Sequence, residues 1–561
     1  MRRSRSLSIA LLGAAAVGGW AAPGAGAAED RYEVLLRDGH TRAAHASAAR
    51  AVLARAGARP AGPRVPEIGL ETVRAAPGHS AAALVAALRR DPRVRAVVPV
   101  TRLSLRAPND PALVQPEGGT GLAVQWPYAR EGLDRLWDIS HGDGAVVGVV
   151  DTGATASHPD IAGKIAAAVD QNGDDGLPAT VDVNGHGTHV SSLACAGTGN
   201  GAGIAGAGGN CRLVVERTDL SSASVAASIV DATNRGAHAI NLSLGSSPGA
   251  SLNPAFAYAI DYAYQHGVVL VAAASDDPDV DQGQPASLLQ PTGTGPDLNS
   301  PAIRGLTVTS STVGDTPSGG GVGSQISIAA YGSFAPFDAG GTPRGVVGAF
   351  PPPTLPREQY DFSVFPFRPP CGCRTSIAGD GLYGYIQGTS MSAPKVAGAA
   401  AVVRVVNPTL SAAEVIRLLK QTARRPPGTG WTAAFGWGIL DGGAAADAAR
   451  RIDRRAPTSS MRAPKVVKGR RFVLRWSGGD PAGAPGLIAS GIAFFDVYAS
   501  RDGKKLHRIA HTSRTRLRFT GRRGSRYRFF VVAVDRAGNR EARSSRPKAT
   551  TLLTKARKRR R

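Results

Sequence analysis

Three short segments hold residues that could act together on an acyl group. "VVDTGATASHPDI" places Asp151 at the end of an apolar run. "NGHGTHVSSLACAG" places His186 between glycines at the mouth of a helix, and "GTSMSAPKVAGAAA" places Ser390 at the start of another. A serine hydroxyl is a weak nucleophile until a base takes its proton. Imidazole suits that task near neutral pH, and a buried carboxylate orients the ring and stabilises its cation. Glycines near His186 and Ser390 let backbone and substrate approach closely. A serine at a helix N-terminus also turns its own N–H toward developing negative charge. Each segment alone has a plainer explanation. DTG also forms an ordinary strand-to-turn corner, and GTS before a helix is often only a cap. HGTH offers two imidazoles at i, i+3, without the spacing or companion glutamate of a zinc helix. Together, in the order Asp, His, Ser, the three point to acyl transfer through a serine nucleophile.

Over about residues 115–450 the chain resembles the subtilisin-like serine proteases, the subtilases. The resemblance rests on the three motifs, on "INLSLG" at 240–245 and on "GWGILDGGAAADAA" at 436–449. It implies a triad of Asp151, His186 and Ser390, with Ser243, Leu244 and Gly245 on a strand that pairs with an extended substrate. It also implies that the chemistry needs no cofactor and that loops can hold structural calcium. "DQNGDDG" at 170–176 sets oxygen ligands at alternate positions, so Asp170, Asn172 and Asp174 are calcium candidates, although the distal glutamate of an EF-hand is missing. His158 and His189, also near the motifs, read as structural.

One place departs from the family. "VVLVAAASDDPDVD" at 268–281 is a smooth apolar run that ends in Ser275 and four carboxylates, Asp276, Asp277, Asp279 and Asp281. In subtilases the matching strand leads to Gly-Asn, and the Asn amide donates to the oxyanion. Here Ser275 and Asp276 stand at those two places. An ionised carboxylate cannot donate, so Asp276 serves only if protonated; otherwise Ser275 is the nearest substitute or the site is impaired.

The elements that must hold these residues follow from periodicity. "AVVGVVD", "RLVVERT", "AINLSLG", "VVLVAAA" and "GLTVTSS" are short β-branched runs. Helical stretches such as "SVAASIVDATNRG" and "PAFAYAIDYAYQHG" alternate with them, each ended by glycine. The alternation predicts an α/β fold, a parallel sheet with helices on both faces. Before it, residues 29–106 read as a small α+β unit that resembles the family's propeptide, a foldase and inhibitor. It holds a strand at "RYEVLL", a helix capped by Ser80 and a strand pair or long edge strand over "RVRAVVPVTRLSL". After it, residues 456–553 turn into strands at sandwich spacing and resemble a fibronectin type III-like module. The Pro- and Phe-rich stretch 335–374 reads as a surface insertion.

Bulk properties set the context. The 561 residues exceed one core, and the net charge of +24 is unevenly placed. Residues 111–454 carry 20 Lys/Arg against 29 Asp/Glu, whereas residues 455–561 carry 29 against 5. The basic mass, with the tail 554–561, is therefore a C-terminal property that fits non-specific polyanion binding and no specific nucleic-acid recognition. Arg2, Arg3 and Arg5, an apolar segment and small residues at 25–28 make residues 1–28 a secretory signal, so the mature chain is expected to be extracellular, without a transmembrane segment. An even cysteine count in an exported chain favours disulfides. Of the three pairings, Cys195–Cys211 is the expected local bridge, which leaves Cys371 and Cys373 with only a tight ring between them. The sequence thus indicates a secreted serine endopeptidase made as a zymogen, acting on polypeptides and on its own propeptide. The rival is an impaired subtilase that binds peptides or surfaces.

Overall fold

The structure is a computed structural model. It describes residues 31–37, 42–66, 69–99, 108–171, 176–339, 345–352, 374–426, 430–484 and 486–555. The chain divides into two compact units, Met1–Ser104 and Leu105–Arg561. The signal segment, Cys371, Cys373 and most of 335–374 lie outside the described residues, but Val346–Ala349 and Phe350 of that stretch are buried in the core, so this part is not the surface insertion that its composition suggests.

In the first unit, strands β1 (Arg31–Leu36), β2 (Ala58–Val65), β3 (Leu70–Ala75) and β4 (Val94–Pro99) form an antiparallel sheet in the order β2-β3-β1-β4. Helices Arg42–Arg55 and Ala81–Arg90 accompany it. Ser80 caps the second helix, its Oγ accepting from Ala83 N at 3.1 Å. Leu84 and Leu88 of that helix share one apolar core with Val34, Val73 and Val97 of the sheet. The sequence pattern anticipates β1, the capped helix and β4. It does not anticipate the first helix, β3 or β2, whose "ARPAGPRV" reads as loop. An edge strand tolerates such prolines, since one side of its backbone has no partner to lose.

In the second unit, seven parallel strands stand in the order β11-β10-β9-β8-β5-β7-β6. They are β5 (Val146–Asp151), β6 (Ile165–Asp170), β7 (Arg212–Arg217), β8 (Ala239–Leu242), β9 (Val269–Ala273), β10 (Gly305–Ser311) and β11 (Ile328–Tyr331). The sheet is covered on both faces. Val147, Val149, Leu213, Val215, Val269 and Val271 join one core with the helices His186–Cys195 and Thr389–Val406. Val150, Val214, Leu270 and Ala272 join another with Ser222–Asn234 and Pro254–Gln265. This period-two split explains why the strands read as continuous apolar runs. The sequence pattern missed β6 and β11, the two edge strands, whose alanine-rich "IAAAVD" and "IAAY" carry little β-branched signal. A smaller antiparallel sheet of β12 (Val346–Ala349), β13 (Arg374–Ile377) and β14 (Asp380–Ile386) leads the chain to Gly388.

The C-terminal strands are β15 (Thr458–Arg462), β16 (Val466–Val467), β17 (Arg471–Gly479), β18 (Ile492–Arg501), β19 (His507–Thr512), β20 (Arg516–Thr520), β21 (Arg526–Asp535) and β22 (Ala549–Leu553). They form two sheets, β15-β17-β20 and β16-β22-β21-β18-β19, over a core that includes Leu474, Trp476, Val497 and Phe529. Among the described residues no helix is long and apolar enough to cross a membrane. The Cys195–Cys211 bridge is formed, with Cα atoms 5.4 Å apart.

Candidate active site

The neighbouring strands β5, β8 and β9 end on the same edge of the parallel sheet, where ligands of open α/β folds collect. Asp151 is the last residue of β5, Ser243 follows β8, and Asp276 follows β9 by three residues. The helix Thr389–Val406 packs against β8, β9 and β10 and brings Ser390 to that edge. A cleft of about 550 Å³ is lined by Asp151, His186, Ser243, Leu244, Gly245, Asp276 and Ser390, among others.

Asp151 is 2% exposed, and its Oδ1 accepts from His186 Nδ1 at 2.8 Å and from Thr152 N at 2.8 Å. His186 opens its helix. The next residue must be small, because a Cβ at Gly187 would lie 2.1 Å from Gly153 O. Burial by itself would lower the His186 pKa. The adjacent Asp151 charge and hydrogen bond outweigh it, with Asp182 and Asp276 adding, and the imidazole is held above its ordinary value. Asp182 is a site residue that sequence reasoning missed. It is buried, and its Oδ1 accepts from Thr152 Oγ1, Asn184 N and Gly185 N. Its Oδ2 accepts from Thr188 N and Thr188 Oγ1 at 2.8 and 2.7 Å, so one carboxylate shapes the whole loop that delivers His186. The signal was the Asx-type "DVNG" just before the histidine.

Ser390 is the second residue of its helix. Pro394, four residues on, has no N–H to give to the Ser390 carbonyl. Ser243 fills that place, its Oγ donating to Ser390 O at 2.8 Å, while Ser390 Oγ donates to Ser243 O at 3.3 Å. Ser243 thus fixes the residue that the sequence marks as nucleophile. Half-buried Leu244 and exposed Gly245 continue beyond the last paired residue of β8, open to an extended chain. Deeper in the same helix, Lys395 pairs with Glu131 at 2.7 Å, both side chains fully buried. Glu131 Oε1 also takes Tyr331 N at 2.8 Å, which ties the Ser390 helix to β11.

Asp276 faces the cleft and is solvent-exposed, yet protein surrounds its carboxyl on the remaining sides. That desolvation raises its pKa above the ordinary carboxylate value, and Asp277 adds to it. The Thr389 hydrogen bonds and the His186 charge act in the opposite sense. Water in the open cleft moderates the rise until substrate displaces it. Asp276 Oδ1 accepts from Thr389 N at 2.7 Å and lies 2.8 Å from Thr389 Oγ1. A Cβ at Gly388 would meet Asp276 Oδ2 at 3.1 Å, and the φ of 148° there also favours glycine. Ser275 is placed differently. Its Oγ donates to Asp279 Oδ2 at 2.7 Å and accepts from Asp277 N at 3.1 Å, so its hydroxyl folds the acidic loop and does not line the cleft.

The remaining candidates separate from the cleft. His158 is buried, with Nε2 donating to Leu382 O at 2.8 Å. His189 is buried against Val346 O and Gly384 O, and burial pushes its pKa down to about 3, which keeps it neutral. Both are structural, as expected. Asp170 pairs with Arg217 at 3.3 Å, and Asn172 and Asp174 lie outside the described residues.

The chain is similar to known proteins. Residues 142–438 match the subtilase family, peptidase S8. Thermitase of Thermoactinomyces vulgaris is 30% identical over 328 residues, which cover 58% of this chain and 94% of thermitase. A thermophilic serine proteinase of Bacillus sp. is 29% identical over 309 residues, 54% of this chain and 62% of the proteinase. A solved protease structure from Pseudoalteromonas arctica aligns at 27% identity and a TM-score of 0.47, covering 61% of this chain and all of that one.

Proposed function

The chain belongs to the subtilase family of serine endopeptidases, and from that premise we propose a mechanism for this member and a role for each of its parts. Ser390 Oγ attacks the carbonyl carbon of a peptide bond while His186 Nε2 takes its proton. The tetrahedral intermediate collapses to an acyl-enzyme as His186 returns the proton to the leaving amine. Water then repeats the cycle on the ester. Asp151 holds His186 through Nδ1 and stabilises the imidazolium. Ser243, Leu244 and Gly245 bind the substrate backbone as an added strand. The oxyanion lies between Ser390 N and a protonated Asp276, whose Oδ2 serves as a neutral donor. No cofactor is needed for these steps, and calcium at Asp170, Asn172 and Asp174 would be structural.

The observation that carries this reading is the 2.8 Å bond between Asp151 and His186 at a cleft that Ser390 also lines. Residues 1–28 direct secretion, and residues 29–106 act as a propeptide removed by the enzyme itself. Residues 115–450 are the catalytic domain, and residues 456–553 with the tail 554–561 are an accessory module that attracts polyanions. The carboxylate at 276 favours one alternative, an impaired subtilase that binds peptides without cleaving them. A fluorophosphonate probe and a peptide substrate separate the two. The purified mature chain is expected to label at Ser390 and to hydrolyse peptides. Ser390→Ala is expected to abolish labelling and nearly all turnover and to leave the chain unprocessed when expressed alone. Labelling without hydrolysis would establish the alternative, and self-processing by Ser390→Ala would remove the autocatalytic zymogen.

A further inference from the structure

The basic C-terminal module carries its charge in a particular way on the sheet β15-β17-β20. Phe472, Leu474, Trp476 and Met461 point into the sandwich core, so the alternate residues of these strands form the outer face. Arg462, Arg475 and Arg516 stand directly opposite one another on the three strands. Arg518 lies opposite Val473, and Arg471 opposite Thr520, on the same face. Arg514 sits at the entrance to β20. All six are exposed, and their guanidinium groups make no hydrogen bond or ion pair among the described residues. A groove of about 1100 Å³ lies at the β20 edge of this face, lined by Arg475, Arg514, Arg516 and Arg518 and also by Ala510 and Thr512 of β19. The module's five carboxylates are held elsewhere. Asp496, for example, is clasped by Arg508 and Arg540, and Glu541 pairs with Lys548.

Like charges directly opposite on neighbouring strands are destabilising, with Cβ atoms about 5 Å apart. Here three stand in one row with no counter-charge. An anionic partner would turn that repulsion into attraction. The residues are all arginine, although lysines are present elsewhere in the module, and the guanidinium fork matches phosphate oxygens two at a time. No aromatic side chain lies on the face, so it offers nothing on which unpaired bases could stack. No large apolar side chain projects from it to enter a bilayer. Strand geometry sets Arg516 and Arg518 about 7 Å apart along β20, and Arg471 and Arg475 about 14 Å apart along β17. A nucleic-acid duplex carries one charge per roughly 1.7 Å of its axis, dense enough to meet all six. A polymer with one carboxylate per sugar ring is sparser.

We propose that the outer face of β15-β17-β20 docks the phosphate backbone of double-stranded nucleic acid, independently of sequence. This deepens the polyanion reading of the module and does not depend on the proteolytic one. Phosphate contacts alone hold a duplex and read no bases, so affinity falls steeply with salt.

The test uses the full chain in a Ser390→Ala background, which keeps it intact, and the anisotropy of a fluorescent DNA duplex between about 50 and 200 mM salt. Arg462→Ser/Arg475→Ser/Arg516→Ser is expected to weaken binding on the order of 100-fold at low salt. The slope of log K against log salt should fall by about 0.9 per lost contact, roughly 2.7 in all. The melting temperature should hold or rise, because cross-strand repulsion is removed. A charge-matched control, Arg522→Ser/Arg526→Ser/Arg528→Ser, at and on β21 of the opposite sheet, should retain the greater part of both affinity and slope. An equal loss in the control overturns the face as the site. Binding that survives the triple variant and vanishes only on removal of residues 554–561 also overturns it, while leaving the general polyanion reading intact. Tighter binding of polygalacturonate, or of phosphatidylcholine–phosphatidylserine vesicles, at matched anion concentration and salt overturns the duplex as partner.

Discussion

Replacing Asp276 by asparagine changes one atom and tests how this cleft stabilises an oxyanion. Thr389 N can only donate, and it lies 2.7 Å from Asp276 Oδ1. An asparagine must therefore keep its own Oδ1 there, because a flipped amide would set two donors against each other. Its Nδ2 then replaces Oδ2 and becomes a donor at every pH. In the parent, the proposed mechanism requires a neutral His186 and a protonated Asp276 together. His186 is held above its ordinary pKa by Asp151, against burial, and Asp276 is raised by desolvation. Activity should climb as pH rises through the His186 pKa and fall as Asp276 ionises, which gives a bell in kcat/KM. If Asp276 ionises first, both groups are in the right state in only a fraction of molecules, and the crest of the bell is lowered. Asp276→Asn should abolish the alkaline limb. The acid limb should move to lower pH, since the Asp276 charge is one of those that raise His186. Losing an oxyanion donor costs about 100- to 1000-fold in kcat, or about 2.7–4 kcal/mol. The asparagine variant should thus exceed the parent by up to that factor where Asp276 is ionised, and by progressively less as pH falls. The assay is kcat/KM on a neutral peptide substrate from about pH 5 to 10. An unchanged bell in Asp276→Asn, or an Asp276→Ala variant as fast as the parent throughout, would refute the carboxyl as donor.

Two buried groups away from the cleft give pH-dependent stability of opposite sign. Glu216 is fully buried, and burial with the nearby Asp231 pushes its carboxyl up to about 8. Its folded pKa lies above the unfolded value, so its stabilising contribution is complete below about 4.5 and is lost as pH rises through 8. Glu216→Gln should therefore gain in melting temperature relative to the parent between about pH 5 and 8, and a constant difference across that window would count against it. Lys420 is also fully buried, and burial pushes it down to about 7 despite Asp297. The folded state resists its protonation, a penalty complete below about pH 7 that fades toward 10.5. Lys420→Met should melt higher than the parent near pH 6 and approach it near pH 10, because Gln290 Oε1 still accepts from Ser327 Oγ at 2.7 Å. A variant that melts lower at pH 6 would show the lysine to be stabilising.

The candidate residues for chemistry could be read from the string because their settings are local: Asp151 at a strand end, His186 between glycines and Ser390 at a helix start. The parallel sheet was legible because its central strands are buried on both faces and must be apolar throughout. The edge strands β6 and β11 were not, because alanine-rich "IAAAVD" and "IAAY" carry little β-branched signal, nor was β2, because an edge can spare the backbone donors that its prolines lack.

What the string could not hold is set by contacts across large sequence separations. That Pro394 frees a carbonyl is local, but that Ser243 takes it requires β8 to lie beside the Ser390 helix. Asp182 reads as a turn residue and becomes the organiser of the His186 loop only when Thr152 and Thr188 close on it. Resemblance singled out Asp276 among the carboxylates after "VVLVAAA", but composition alone did not separate them. Tertiary structure divided them, sending Asp279 to bond Ser275 within the loop and Asp276 onto Thr389 at the mouth of the cleft. The net charge of +24 was readable by counting, whereas the register of β15, β17 and β20 alone aligned three arginines in one row. Composition and local conformation are properties of neighbours in the chain. Hydrogen-bond partners, burial and the fields that move a pKa are properties of neighbours in space, and only the folded chain decides those.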